Sequence, residues 1–198
     1  MNATVNSVMH RILQTGTCLL LAAAVVACSP QTTSTPTPTP TSTSSSASDS
    51  AVPKVASPKK LTGVPACQLL TTQQLQTLGA ATNPKTGKSP WGEGSCEWNT
   101  AEVAIHLSPD TTTGKGLAQT YSSKSKFDSF QPTTVAGYPS VQVDKQDISC
   151  GLFVGVSDTQ VLSLTVFIDG KGNPDYHNPC AFAPKVATAV LANLPAGQ

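Results

Sequence analysis

The sequence predicts an α+β fold: a single antiparallel β-sheet flanked by helices and braced by two disulfides. Three observations predict it. Short stretches alternate apolar and polar residues with the period of two that a half-buried strand requires. Cap residues mark helix starts near both ends of residues 61–198. Four cysteines, Cys67, Cys96, Cys150 and Cys180, stand in that same stretch, an even number in a chain that opens with an export signal.

The elements follow in order. Thr71, with Gln74 three residues on, forms a capping box; Leu75 and Leu78 give that helix its apolar stripe, and Gly79 stops it. Residues 80–94, rich in Gly, Pro and Asn, read as a loop. Residues 95–99 read as a strand with Cys96 and Trp98 on one face, and 101–107 as another with Val103, Ile105 and Leu107 inward. A short helix over 117–124 brings Leu117 and Tyr121 together. Strands near Thr133 and Val135 and over 140–144, with Val141 and Val143 inward, are joined by a turn at Ala136-Gly137-Tyr138-Pro139. The strongest pair is 149–156, with Cys150, Leu152, Val154 and Val156 on one face, and 160–169. The last helix takes Asn178 as N-cap and Pro179 as first residue, and buries Val186, Val190, Leu191 and Leu194. Pro184 should kink its first turns or delay its start to residue 184. Short antiparallel strands between helices make one sheet.

Four cysteines allow three pairings. The sequential one, Cys67 with Cys96 and Cys150 with Cys180, is favoured because each bridge would staple a helix start to a strand. No pair has Cys-x-x-Cys spacing, which speaks against a redox motif or a zinc knuckle.

The chain divides into three parts. Residues 1–28 read as a lipoprotein signal peptide: His10 and Arg11 are weakly basic, and residues 18–27 are an apolar core shorter than the about 20 residues a spanning helix needs. Val25-Val26-Ala27-Cys28 is the lipobox pattern, with a small side chain before the scissile bond and a thiol to carry diacylglycerol. Cys28 would become the acylated N-terminus, stably anchored by two or three chains. Residues 29–60 are mostly Thr, Ser, Pro, Ala and Lys, with Val52 and Val55 the largest apolar side chains. Such a stretch cannot offset its ordering entropy and is expected to be a disordered tether. Alternating Pro at 36, 38 and 40 favours polyproline II, which would let the tether reach roughly 90 Å. Ser/Thr-rich sequence with Pro also suits O-glycosylation. Residues 61–198 then form one disulfide-braced domain. Beyond the signal peptide lysines balance Asp plus Glu, and no arginine occurs, so nucleic acid is excluded as a partner.

Several motifs together carry a resemblance. They are Ala66-Cys67-Gln68-Leu69-Leu70-Thr71 leading to Leu78-Gly79, Cys96-Glu97-Trp98, Val135-Ala136-Gly137-Tyr138-Pro139, Cys150 in a late strand, and Asn178-Pro179-Cys180 running to Leu194-Pro195. In this order the chain resembles the actinobacterial lipoproteins of the domain of unknown function 3558 family, over about residues 61–196 together with the lipobox and tether. The resemblance implies an envelope location and a lipid anchor, and no catalytic residue. The chain departs from the pattern at Pro184, where a helix-forming residue would be expected.

Candidate chemistry is sparse. Gly87-Lys88-Ser89 looks like the end of a phosphate loop, but Thr82 stands where Gly is required and Pro90 where the helix should begin. Asp169 to Asp175 alternates oxygen side chains like a calcium loop, yet Lys171 takes a ligand place, Pro174 replaces the turn Gly, and no Glu closes it. His106 and His177 find no third ligand at a known spacing. No metal, cofactor or catalytic residue is therefore expected. Trp91, between Pro90 and Gly92, is a candidate partner contact, and so is Tyr138 on its turn; either ring could instead fold over the sheet edge. The expectation is a non-enzymatic binding module on the outer face of the cytoplasmic membrane, with an envelope protein, glycan or lipid as ligand. The rivals are an enzyme acting on envelope polymer or lipid, which His106 beside an acid would favour, and an assembly partner of an envelope complex.

Overall fold

The computed structural model describes residues 52–169 and 176–197. Its strands are β1 (Lys85–Lys88), β2 (Gly94–Asn99), β3 (Val103–Asp110), β4 (Phe130–Val135), β5 (Tyr138–Val143), β6 (Ser149–Gly155) and β7 (Val161–Ile168). Its helices are α1 (Thr72–Thr77), α2 (Leu117–Ser122) and α3 (Pro179–Asn193), with 3₁₀ turns at Ala66–Gln68 and Lys124–Lys126. All seven strands form one antiparallel sheet in the order β1-β2-β3-β7-β6-β5-β4. The chain lays down β1 to β3, crosses by α2 to the far edge, and returns through β4 to β7. The returning β7 pairs with β3 from Val103↔Ile168 to Asp110↔Val161.

The period of two decides what each face buries. One face carries Cys96, Trp98, Val103, Ile105, Leu107, Cys150, Leu152, Val154, Leu162, Leu164 and Val166, all buried under α1, α3 and the Ala66–Gln68 turn. The α3 stripe of Val186, Ala187, Val190 and Leu191 closes that core. The opposite face is covered only at one end. There Leu117, Val141, Val143 and Val161 make a smaller cluster, with Tyr121, Phe127, Phe130 and Phe153 half-buried on it. The rest of that face lies open, and Phe167 on β7 is 43 % exposed.

Both bridges are sequential. Cys67–Cys96 ties the first 3₁₀ turn to β2, and Cys150–Cys180 ties β6 to the first turn of α3. The capping box of Thr71 and Gln74 is present on α1, and Asn178 caps α3 through the Ala181 N–H.

Pro184 neither delays nor ends α3, which starts at Pro179 and runs through it. A proline there lacks the N–H that would bond the carbonyl of Cys180. The Gln142 side-chain amide on β5 donates to that carbonyl instead, at 2.7 Å. Replacing Gln142 by leucine should therefore cost about 1–3 kcal/mol, the penalty for a polar group left without a partner. Thermal denaturation reads it; an unchanged midpoint would mean that water serves the Cys180 carbonyl equally well.

Three expectations are corrected. Residues 80–94 contain β1, whose four residues are all exposed, so no alternation could announce it; pairing with β2 alone makes it a strand. The β4–β5 turn is only Ala136-Gly137, with φ of 49° and 85°, the positive pair that tight hairpins demand. Tyr138 thereby falls inside β5, buried, with its hydroxyl donating to the Ser57 carbonyl at 2.8 Å, so it is not a partner contact. Finally, residues 52–60, assigned by composition to the tether, lie along the domain as a strap. Lys59 N–H donates to Val156 O (2.7 Å), Lys60 N–H to Pro195 O (3.0 Å) and Gly197 N–H to Pro58 O (2.8 Å). Asp158 accepts from Val55 N–H and from the Lys54 ammonium, and Lys59 Nζ donates to the Leu194 carbonyl. Backbone pairing, which composition does not register, holds this segment.

Candidate functional site

The site grows from the tight turn between β1 and β2. Ser89 N–H and hydroxyl both donate to the Glu93 carbonyl (2.8 and 3.1 Å), and Gly92 N–H donates to the Ser89 carbonyl at 3.0 Å. Trp91 is thus held at the tip. Its Nε1–H donates to the Pro109 carbonyl at 2.6 Å, which fixes the indole against the end of β3. The Glu93 carboxylate fastens the same turn a second time, accepting from Thr111 N–H (2.7 Å), Thr112 N–H (2.8 Å) and the Thr111 hydroxyl (3.0 Å). Burial pushes the Glu93 carboxyl up, but these donors outweigh it and hold it below its ordinary value of 4.5.

A lowered folded-state value makes Glu93 stabilising above pH 4.5, and that contribution is lost as pH falls through the folded value. The protein should accordingly be more stable than a Glu93→Gln variant at neutral pH, with the difference shrinking below about 4.5. Paired urea titrations across pH 7 to 3 measure this. A pH-independent difference would assign the clamp to neutral hydrogen bonding.

At the end of β3 the buried Asp110 accepts from Thr113 N–H (3.1 Å) and the Thr113 hydroxyl (2.7 Å), turning the chain towards α2. Between the Trp91 turn and the α2 segment opens a cleft of about 360 Å³. Trp91 and Pro90 form one wall, Gln119, Ser123 and Phe127 the other, and Phe153 and Val161 of the sheet are at its base. The rings of Phe127 and Phe153 meet at 5.7 Å. Lys115, Gln119, Thr120 and Ser123 line it with side-chain polar groups that have no partner among the described residues. In two roomier hollows most of the polar side chains are already taken up. In the groove between α1 and α3, the Gln74 amide already donates to Ala189 O and Asn193 Oδ1. Under the strap, Asp158 and Gln160 are taken up by Lys54, Val55, Leu61 and Thr62.

Of the sequence candidates, Trp91 therefore stands in the cleft, half-buried, both folded onto the sheet edge and facing a cavity. His106 lies on the open face, its Nε2 3.4 Å from Glu97 Oε1 and its ring edge-on to Phe167 at 5.7 Å. His177 is exposed beside α3. No group of three or more His, Cys, Asp or Glu side chains that could hold a metal occurs among the described residues, and no helix there is long and apolar enough to cross a membrane. Cys28 and residues 170–175 of the calcium-like loop lie outside the described residues. Sequence reading missed Phe127, Phe153, Gln119 and Ser123. One signal was available: Leu152-Phe153-Val154 is apolar on both faces, as a strand covered on both sides must be.

A family model described as "Protein of unknown function (DUF3558)" matches residues 23–193. No curated protein and no solved structure matches the chain.

Proposed function

The chain belongs to the DUF3558 family, and from its own residues we propose that it is an exported lipoprotein that binds an envelope ligand in the cleft beside Trp91. Acyl chains on Cys28 hold it at the outer face of the cytoplasmic membrane. The observation that carries the binding role is the pairing of an indole hydrogen-bonded to Pro109, on a turn that Glu93 fastens a second time, with four polar side chains that have no partner among the described residues. A binding site gains from such rigidity because little ordering cost remains when the ligand arrives. Disulfide bracing suits a domain exposed to an oxidising compartment. Binding, and not turnover, is its task.

Native mass spectrometry of the full chain taken from its own membranes tests both halves. The expected mass starts at Cys28 and includes two or three acyl chains, with a further non-covalent mass that a Trp91→Ala variant does not retain. An unacylated start would overturn the lipoprotein reading; an adduct indifferent to Trp91 would overturn the cleft. The enzyme alternative draws on one observation, the His106–Glu97 pair. It prevails if the purified chain turns over an envelope polymer or lipid and a His106→Ala variant does not.

A further inference from the structure

We propose that the cleft takes a pyranose ring of a neutral glycan, and that the glycan continues from it across the open sheet face to Phe167. This rests on the cleft being the binding site. A pyranose has an apolar face of C–H groups bordered by hydroxyls that both donate and accept. The lining is the converse of that shape. Trp91, Phe127 and Phe153 present apolar rings, while Lys115, Gln119, Thr120 and Ser123 bring donors and acceptors with no partner among the described residues. An acyl chain in the same place would desolvate those groups without pairing them, which is unfavourable. The two charges of the lining, Asp110 and Lys115, oppose each other, so nothing favours a net charge on the ligand. Asp110 is 7 % exposed and uses one acceptor site on each oxygen for Thr113, leaving the others for hydroxyls.

The cleft borders the sheet at Val161. From Val161 the exposed side of β7 runs through Ser163 and Thr165 to Phe167, paired across to Ser108, His106 and Ala104 on β3. These residues are small or polar and partly exposed, and the path ends at a second aromatic surface, Phe167 with His106 against its edge. The six steps of strand from Val161 to Phe167 span about 20 Å, room for several sugar units in line. Two aromatic platforms joined by hydroxyls and an imidazole describe a track for a chain, and not a pocket for one sugar.

Isothermal titration of the full chain decides it. The probes are neutral gluco-, manno-, galacto- and N-acetylglucosamine oligosaccharides of one to six units, with palmitate and choline as the other ligand classes. At least one sugar series is expected to bind, with affinity rising about tenfold or more between one and four units. Trp91→Ala should cost about tenfold at every length, and Phe167→Ala a similar factor only for four units or longer. Ser123→Ala, which touches no fold contact, repeats the Trp91 test if that variant misfolds. Trp91-dependent binding of palmitate or choline, with no sugar bound, would overturn the glycan and leave the cleft reading standing. Sugar affinity that ignores length or Phe167 would overturn the track. If no probe binds, or binding ignores both Trp91 and Ser123, the glycan inference falls; the adduct of Trp91 in native mass spectrometry still judges the cleft separately.

Discussion

Removing the Cys150–Cys180 bridge by a double alanine substitution is expected to lower stability by roughly 3–4 kcal/mol and the melting midpoint by about 10 °C. The bridge joins residues 30 apart in sequence, and a cross-link of that span removes a loop's worth of freedom from the unfolded chain. Cys150 is wholly buried in β6 and Cys180 sits in the first turn of α3, so the truncation also leaves a small void in the main core. The Cys67–Cys96 pair spans 29 residues and provides the comparison, since loop entropy predicts nearly the same loss. Urea denaturation of both double variants separates the terms. A common loss would come from the unfolded state, and an excess at Cys150–Cys180 from core packing. A loss below about 1 kcal/mol in either would mean that the bridge does not act by constraining the unfolded chain.

Alanine at Gly116 should cost about 3 kcal/mol or more, and it should also disturb the cleft. Gly116 is the N-cap of α2, with φ 53° and ψ −146°, a conformation essentially reserved for glycine and costing other residues about 1–3 kcal/mol. A methyl group there would lie 2.3 Å from the Asp158 carbonyl oxygen and 2.7 Å from its carbon. Both are backbone atoms of the β6–β7 turn, which the strap holds in place through Val55. The overlap can be relieved only by lifting α2 away from that turn. Hydrogen exchange in α2 should accelerate, and ligand affinity should fall with it. Gly63, with φ 85° and open space around it, is the control. Its alanine variant carries backbone strain without overlap, so an equal loss at both positions would show that crowding at Asp158 is not the cause.

Local signals account for much of this molecule. The α1 capping box, the Asn178-Pro179 start of α3 and the alternation of β2, β3, β6 and β7 are short-range, and each was legible in residue order. The sequential disulfide pairing was favoured by placing those elements in order, and each bridge does join consecutive cysteines of the domain. What failed to show was long-range. The exposed β1 exists only because β2 offers it hydrogen bonds, and the strap only because Val156, Pro195 and Asp158 receive it. β1 buries no side chain, and the strap packs only Val52 and Val55, both half-buried, on the apolar clusters, too little to make the apolar pattern that periodicity measures.

The cleft illustrates the same division. Trp91 drew notice as a tryptophan between Pro90 and Gly92, but its fate depended on Pro109 and Glu93, and its opposite wall on Phe127. Pro184 is expected from sequence to kink α3 or delay its start, yet the helix runs through it; Gln142, on a strand 42 positions earlier, donates the hydrogen bond that Pro184 lacks. By itself, then, the sequence determined the α+β class, most of the elements, a favoured pairing of the cysteines and the expectation of an anchored exported domain. The tertiary structure alone decided the strand order, the uncovered sheet face, the burial of Tyr138 and the gathering of Trp91, Phe127 and Phe153 round one cleft. The reason is physical: helix caps and strand alternation are written within a few residues, whereas a site is a matter of which distant side chains the closed sheet brings within contact distance.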